Sequence, residues 1–182
     1  NLKGINLTGN DFLNLIAGII SAKQQQLAIR IEDIAYFAKM KINISDLLPS
    51  LKIINRHDPD ITLNDFAHCH NCLYETKIFV NEITALKKYD PELSLKQVIT
   101  LPFEKHEAGN ILKLHKKLKA YSTLFSLSDI MNIKQQGIDV IDFLNGLLSA
   151  EKHNIKLSKE KIQQALPRCS SFEALIKAVY TP

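Results

Sequence analysis

Apolar and polar positions recur along this chain with two periods, a helical one and a much longer one laid over it. The segments Ile29-Arg30-Ile31-Glu32-Asp33-Ile34, Ile61-Thr62-Leu63-Asn64-Asp65-Phe66, Leu93-Ser94-Leu95-Lys96-Gln97-Val98 and Phe125-Ser126-Leu127-Ser128-Asp129-Ile130 follow one another at intervals of 32 residues. Ile155-Lys156-Leu157-Ser158 follows the last of them after 30. Two of the lead-ins, His57-Asp58-Pro59-Asp60 and Tyr89-Asp90-Pro91-Glu92, are again 32 apart. Self-similarity at such a period marks a helical repeat. Each segment also reads as a helix start. Thr62, Ser94 and Ser126 stand three residues before Asp65, Gln97 and Asp129. In that spacing the hydroxyl accepts an early helix N–H and the later side chain reaches back to the cap. Ile61 with Phe66, Leu93 with Val98 and Phe125 with Ile130 are spaced for a hydrophobic staple across the same turn. A helix B is predicted to begin at each.

Upstream of each start lies a second periodic stretch, helix A, predicted at roughly Asp11 to Lys23, Asp46 to Arg56, Ile78 to Lys88, Asn110 to Tyr121 and Val140 to Lys152. Superposing these gives one apolar column through Leu15, Leu47, Phe79, Ile111 and Ile141, and another through Ala22, Ile54, Leu86, Leu118 and Leu148. The columns are seven residues apart, which is two helical turns, so they share a face. A last helix A near Ser171 to Tyr180 is opened by Ser170 and Glu173. The predicted fold is therefore all-α: an α-solenoid of about five helical hairpins with a 32-residue repeat, filling residues 1–182 as a single domain. Its repeats fall at approximately 9–44, 45–76, 77–108, 109–138 and 139–169, with a terminal helix at 170–182. Each hairpin is too small to bury its apolar face alone and must be covered by its neighbours.

Composition agrees and narrows the class. With 46% apolar and 23% charged residues the chain has the make-up of an ordinary folded protein, and only 6 Gly and 6 Pro argue against a turn-rich sandwich or barrel. The longest apolar stretch, Phe12 to Ile20, is interrupted by Asn14 and Gly18, so it reads as no transmembrane helix. Three cysteines cannot close a disulfide framework. Free thiols in a reducing compartment follow, and a cytoplasmic location with membrane association only through partners is the expectation.

Candidate chemistry is sparse. His68-Cys69-His70-Asn71-Cys72 offers thiolate and imidazole groups that zinc accepts, but a structural site needs four ligands and no second pair lies elsewhere. Cys69 falls in the column of Phe37, Leu101 and Ile133, which predicts a small apolar side chain filling the core, and Cys72 falls in that of Met40, Glu104 and Gln136. His57, His106, His115 and His153 read as solvated or capping residues. No nucleophile elbow, phosphate-binding glycine loop or H-E-x-x-H pair is present. No cofactor, metal or small-molecule substrate is predicted, and the chain reads as a non-enzyme.

The net charge of +4 is mild, but the basic residues are patterned. Lys23, Asn55, Lys87 and Lys119 share one column, Gln24, Arg56 and Lys88 the next, and Lys52 and Lys116 add to the same end of helix A. The helix dipole alone favours cations there. As a functional feature, Lys23, Lys52, Arg56, Lys87, Lys88, Lys116 and Lys119 predict a ridge for an anionic partner, whether an acidic protein surface, lipid headgroups or a nucleic-acid backbone.

The last repeat also carries a resemblance. The run from Val140-Ile141-Asp142-Phe143-Leu144-Asn145-Gly146-Leu147-Leu148 through Asn154-Ile155-Lys156-Leu157-Ser158 resembles the helical segment of bacterial flotillin-like membrane-scaffold proteins. Gly137-Ile138-Asp139 before it and Phe172-Glu173-Ala174-Leu175 after it follow that family's rhythm, so the likeness covers mainly residues 137–180. It implies a non-enzymatic module of a membrane-associated oligomer and carries over no functional residue. The reading that results is a protein-interaction or scaffold module with a protein partner, a homo-oligomer being one form of it. Its competitor is an RNA-binding helical-repeat protein, which would read one base per repeat through fixed columns.

Overall fold

Eleven α-helices alternate between long and short in a computed structural model that describes residues 8–40, 42, 44–67, 72–121, 124–155, 157–169 and 171–180. The longer helices are α1 (Gly9–Gln25), α3 (Ile44–Asn55), α5 (Cys72–Tyr89), α7 (Glu107–Lys119) and α9 (Val140–Lys152), with α11 (Phe172–Tyr180) at the end. Between them lie α2 (Ile31–Lys39), α4 (Leu63–Ala67), α6 (Leu95–Ile99), α8 (Leu127–Gln135) and α10 (Lys159–Ala165), the last running into a 3-10 turn at Leu166–Arg168. There is no strand among the described residues, and the protein is all-α. Each longer helix packs on the next, α1 on α3, α3 on α5, α5 on α7, α7 on α9 and α9 on α11.

The helix starts follow local chemistry. Thr62 and Ser126 each accept the N–H of the aspartate three residues on, while Asp65 and Asp129 each accept the cap N–H in return. Thr8 and Asp11 form the same reciprocal pair ahead of α1. Ser94 caps α6 on one side only, because the Gln97 amide turns away to donate to Asn132 at 2.6 Å. The predicted staple pairs, Ile61 with Phe66, Leu93 with Val98 and Phe125 with Ile130, are all buried.

Several boundaries differ from expectation. The fifth short helix starts at Ser158, whose hydroxyl accepts the Lys161 N–H, and not at Ile155. Ser158 lies 32 residues after Ser126, so Leu157 takes the place of Phe125 and the 30-residue interval disappears. With that shift the buried face of α9 runs through Phe143 and Ala150, while Ile141 is only half-buried and Leu148 is buried beside them. The cap of α11 is Ser171, which accepts from the Ala174 N–H. Glu173 instead pairs with Lys177 at 2.8 Å, one turn along the same helix. Helices α5 and α7 begin earlier than the apolar pattern suggests, at Cys72 and Glu107.

One buried set runs through the successive longer helices. Leu15, Leu47, Phe79, Ile111, Phe143 and Leu175 are buried, as are Ala22, Ile54, Leu86, Leu118 and Ala150. Close approach of the helices needs glycine at both ends. A side-chain carbon on Gly18 would meet the Ile34 and Ile44 side chains, and one on Gly146 would collide with the Phe172 ring.

Candidate functional site

The basic residues singled out in the sequence stand in or just beyond the last turns of the long helices, Lys23 on α1, Lys52 on α3, Lys87 and Lys88 on α5, Lys116 and Lys119 on α7. Arg56 follows the end of α3. There the carbonyl end of the helix dipole attracts a cation. Lys23, Arg56, Lys88, Lys116 and Lys119 are exposed, whereas Lys52 and Lys87 are half-buried.

Lys87 does not face outward. Its ammonium donates to the Pro91 carbonyl at 2.7 Å and the Leu93 carbonyl at 2.9 Å, tying the end of α5 to the loop before α6. The ends of α3 and α7 meet the same need with other side chains. Asn55, with its amide assigned so that the nitrogen faces the loop, donates to the Ile61 carbonyl at 3.0 Å. In α7 the donor is His115, whose Nε2 lies 2.8 Å from the Phe125 carbonyl. Ile61, Leu93 and Phe125 each immediately precede a helix cap, so one backbone carbonyl recurs as the acceptor while the donor changes. A carbonyl left buried without a donor would cost about 1–3 kcal/mol.

His115 is therefore structural and buried, not solvated. Because a carbonyl can only accept, Nε2 carries a proton. Nδ1 is buried and has no hydrogen-bond partner. Its work in the loop leaves Lys119 free of that duty. The Lys119 and Lys116 ammonium groups both lie 5.3 Å from the centroid of the Tyr89 ring, which His115 meets edge-on at 5.7 Å. His106 also has a defined role. It precedes α7 in a left-handed backbone conformation (φ 61°) and contacts Glu82 at 3.0 Å.

Two clefts open between successive loops at this edge. One, of about 400 Å³, is lined by Tyr89, Asp90, His115, Lys119, Phe125 and Ser126. The other, of about 290 Å³, is lined by Arg30, Asp33, Asn55 and Thr62 among others. Lys119 and Tyr89 can attract an anion or stack on a planar group. The nearby hydroxyl–carboxylate pair, Ser126 with Asp129, is spent on capping α8.

A second polar row crosses the short helices. Asp65 pairs with Lys96 at 3.3 Å and Asp129 with Lys159 at 2.7 Å. Lys159 is the first residue of α10, where the dipole disfavours a cation, and Asp129 offsets that. Burial raises the Asp129 carboxyl, but the Lys159 ammonium and the Ser126 N–H and hydroxyl together outweigh it and hold the group below its ordinary 3.8. Asp65 is likewise lowered, with burial opposed by Thr62 and Lys96. Largely buried between α7 and α8, Lys134 meets Glu107 at 2.6 Å and lies over the Phe103 ring.

His68, Cys69, His70 and Asn71 lie outside the described residues, and of Cys72 only the backbone, in α5, is described. Among the described residues no group of three or more His, Cys, Asp or Glu could hold a metal ion, and no helix is long and apolar enough to cross a membrane. No family model, curated protein or solved structure matches the chain.

Proposed function

We propose that the chain is an α-solenoid of about five helical hairpins with a 32-residue repeat, and that it works as a non-enzymatic scaffold whose partner is a protein. The observation that carries this reading is the burial of Leu15, Leu47, Phe79, Ile111, Phe143 and Leu175, which succeed one another at 32 residues through six long helices. Residues repeating in that way are spent on stacking neighbours, and a stack of this kind presents an extended surface to a partner. The caps and loop ties at Asn55, Lys87 and His115 support the same reading, since they hold the hairpins rigid without offering a reacting group. The flotillin-like stretch adds no residue role, because its helix is α9, whose apolar side chains lie in the stack.

Affinity capture with the full chain as bait, run with nuclease and with detergent, tests the partner class. A protein retained through both treatments is the expected result. Retention lost to nuclease favours the RNA-binding reading, whose support is the Tyr89 ring between Lys116 and Lys119. Reversal of Lys88, Lys116 and Lys119 to Glu separates the two further. An anionic partner should then weaken steeply and show strong salt dependence in the wild type, whereas a partner on another face should bind the variant unchanged.

A further inference from the structure

The two clefts at the loop edge are built from the same positions of the repeat. His115, Lys119, Phe125 and Ser126 of the larger stand 64 residues after Leu51, Asn55, Ile61 and Thr62 of the smaller. The smaller lies where the chain leaving α1 meets the end of α3 and the loop after it, and the larger where the chain leaving α5 meets the end of α7 and its loop. Helix α3 packs on α5 and α5 on α7, so two packing steps separate the clefts. At roughly 8–10 Å per step they are ~16–20 Å apart.

Their chemistry differs. In the smaller cleft the polar side chains are engaged within the chain: Arg30 with Asp33 at 2.7 Å, Asn55 with the Ile61 carbonyl, and the Thr62 hydroxyl with Asp65 at 2.7 Å. What remains for a ligand is the apolar wall of Leu27, Leu51, Ile61 and Leu63. In the larger cleft Lys119 is not tied to its loop, as Asn55 and Lys87 are in the same register, because His115 holds the Phe125 carbonyl instead. Lys119 and Lys116 both lie over Tyr89, and neither pairs with a carboxylate among the described residues. Two ammonium groups held near one ring repel each other, and an anion brought to them relieves that. The anion must be local. Asp90 shares the wall, one of its carboxylate oxygens accepting the Glu92 N–H at 3.2 Å, and Asp58, Asp60 and Glu92 lie in the same two loops. These acids leave room for a single carboxylate and repel a continuous phosphate chain.

We propose that the loop edge binds an extended segment of a protein partner, an apolar side chain entering the smaller cleft while an Asp or Glu side chain meets Lys116 and Lys119 at the larger. The inference rests on the stacked-scaffold reading above and names the partner's element. An extended chain advances roughly 3.3 Å per residue, so about five or six residues separate its two anchors. Side chains seated in separate pockets give such a segment its specificity, and the charge pair fixes its register.

Selection of a displayed library of random peptides on the full chain tests this, each peptide being about twelve residues long so that it spans both clefts. Enriched peptides should carry Asp or Glu about five or six residues from Leu, Ile or Phe. A fluorescein-labelled copy of the leading peptide should bind the wild type with an affinity that falls as salt is raised. It should bind Lys119→Glu, and Ala28→Glu at the exposed rim of the smaller cleft, at least about tenfold more weakly. Changing the peptide's acid to its amide should weaken binding to the wild type by a similar factor and leave binding to Lys119→Glu unaltered, a readout that needs no folded variant but the wild type for its first half. A selection that enriches no such peptide overturns the proposal, as does a leading peptide indifferent to either variant. So does a labelled single strand of oligouridine that binds more tightly than the peptide and is released by Lys119→Glu. The scaffold reading is judged apart: a protein retained through nuclease treatment equally by the wild type and Lys119→Glu upholds that reading while this proposal falls.

Discussion

The helix pair α1 and α2 and the pair α7 and α8 use corresponding positions in opposite ways. Ile31 is 48% exposed where Leu127 is fully buried, and Phe12 lies open where Ala108 is sealed. At the helix cap, Arg30 reaches forward to hold Asp33 at 2.7 Å within one turn and makes no side-chain cap bond. The pair α7 and α8 has Ser126 there, in a reciprocal cap with Asp129, which also takes Lys159 of α10. Around α7 and α8 the apolar side chains and the acid meet other helices of the chain, whereas α1 and α2 keep large apolar groups exposed and satisfy their acid within one turn.

The comparison is most exposed to Leu127→Ala against Ile31→Ala. Truncating the buried leucine should cost about 2–5 kcal/mol, while the exposed isoleucine should change stability by less than about 0.5 kcal/mol. Chemical denaturation at low protein concentration measures both. Equal costs would mean that the two positions are not equivalent. Overpacking comes next. Ala108→Leu should destabilise by about 1–3 kcal/mol because the neighbouring helices leave no room, and Phe12→Leu should leave the unfolding midpoint where it is.

A smaller effect concerns Asp129. Its carboxyl titrates below its unfolded value, so the charge contributes stability at neutral pH that is lost as pH falls below about 3.8 through the folded pKa. Asp129→Asn should cost about 1–2 kcal/mol at pH 7 and flatten the acid limb of a plot of stability against pH. An acid limb as steep as in the wild type would assign it to other carboxylates. The smallest contrast is at the cap itself. Ser126→Ala should cost about 1 kcal/mol, and Arg30→Ala should leave the unfolding curve unchanged.

Features confined to a single turn were legible without coordinates. Thr62 with Asp65 and Ser126 with Asp129 are three residues apart, a separation at which helix geometry alone brings hydroxyl, carboxylate and N–H groups together. The staples and most of the apolar columns were legible for the same reason. The column failed only in α9, where Ile155 was matched to Phe125 and the face was displaced from Phe143 to Ile141. Locally either residue suits an amphipathic helix, and the helix start at Ser158 decides between them. Of the basic ridge, the placement at helix ends was legible. The withdrawal of Lys87 into its loop was not, because nothing in a Lys-Lys-Tyr run says which ammonium will find the Leu93 carbonyl.

The sequence by itself determined that this protein is helical, where most of its helices start, and which side chains they bury, since those properties follow from caps and periodicity within a few residues. Only the tertiary structure decided how the polar groups are used. Lys159 can open α10, the end where the dipole disfavours a cation, because Asp129, remote from it in the chain, lies beside it. His115 is buried where its Nε2 meets a loop carbonyl, and Phe12 stays open while Ala108, at the corresponding place, is sealed by other helices of the chain. Charge pairing and burial depend on distances between atoms remote in sequence, and the packing of one helix on the next sets those distances.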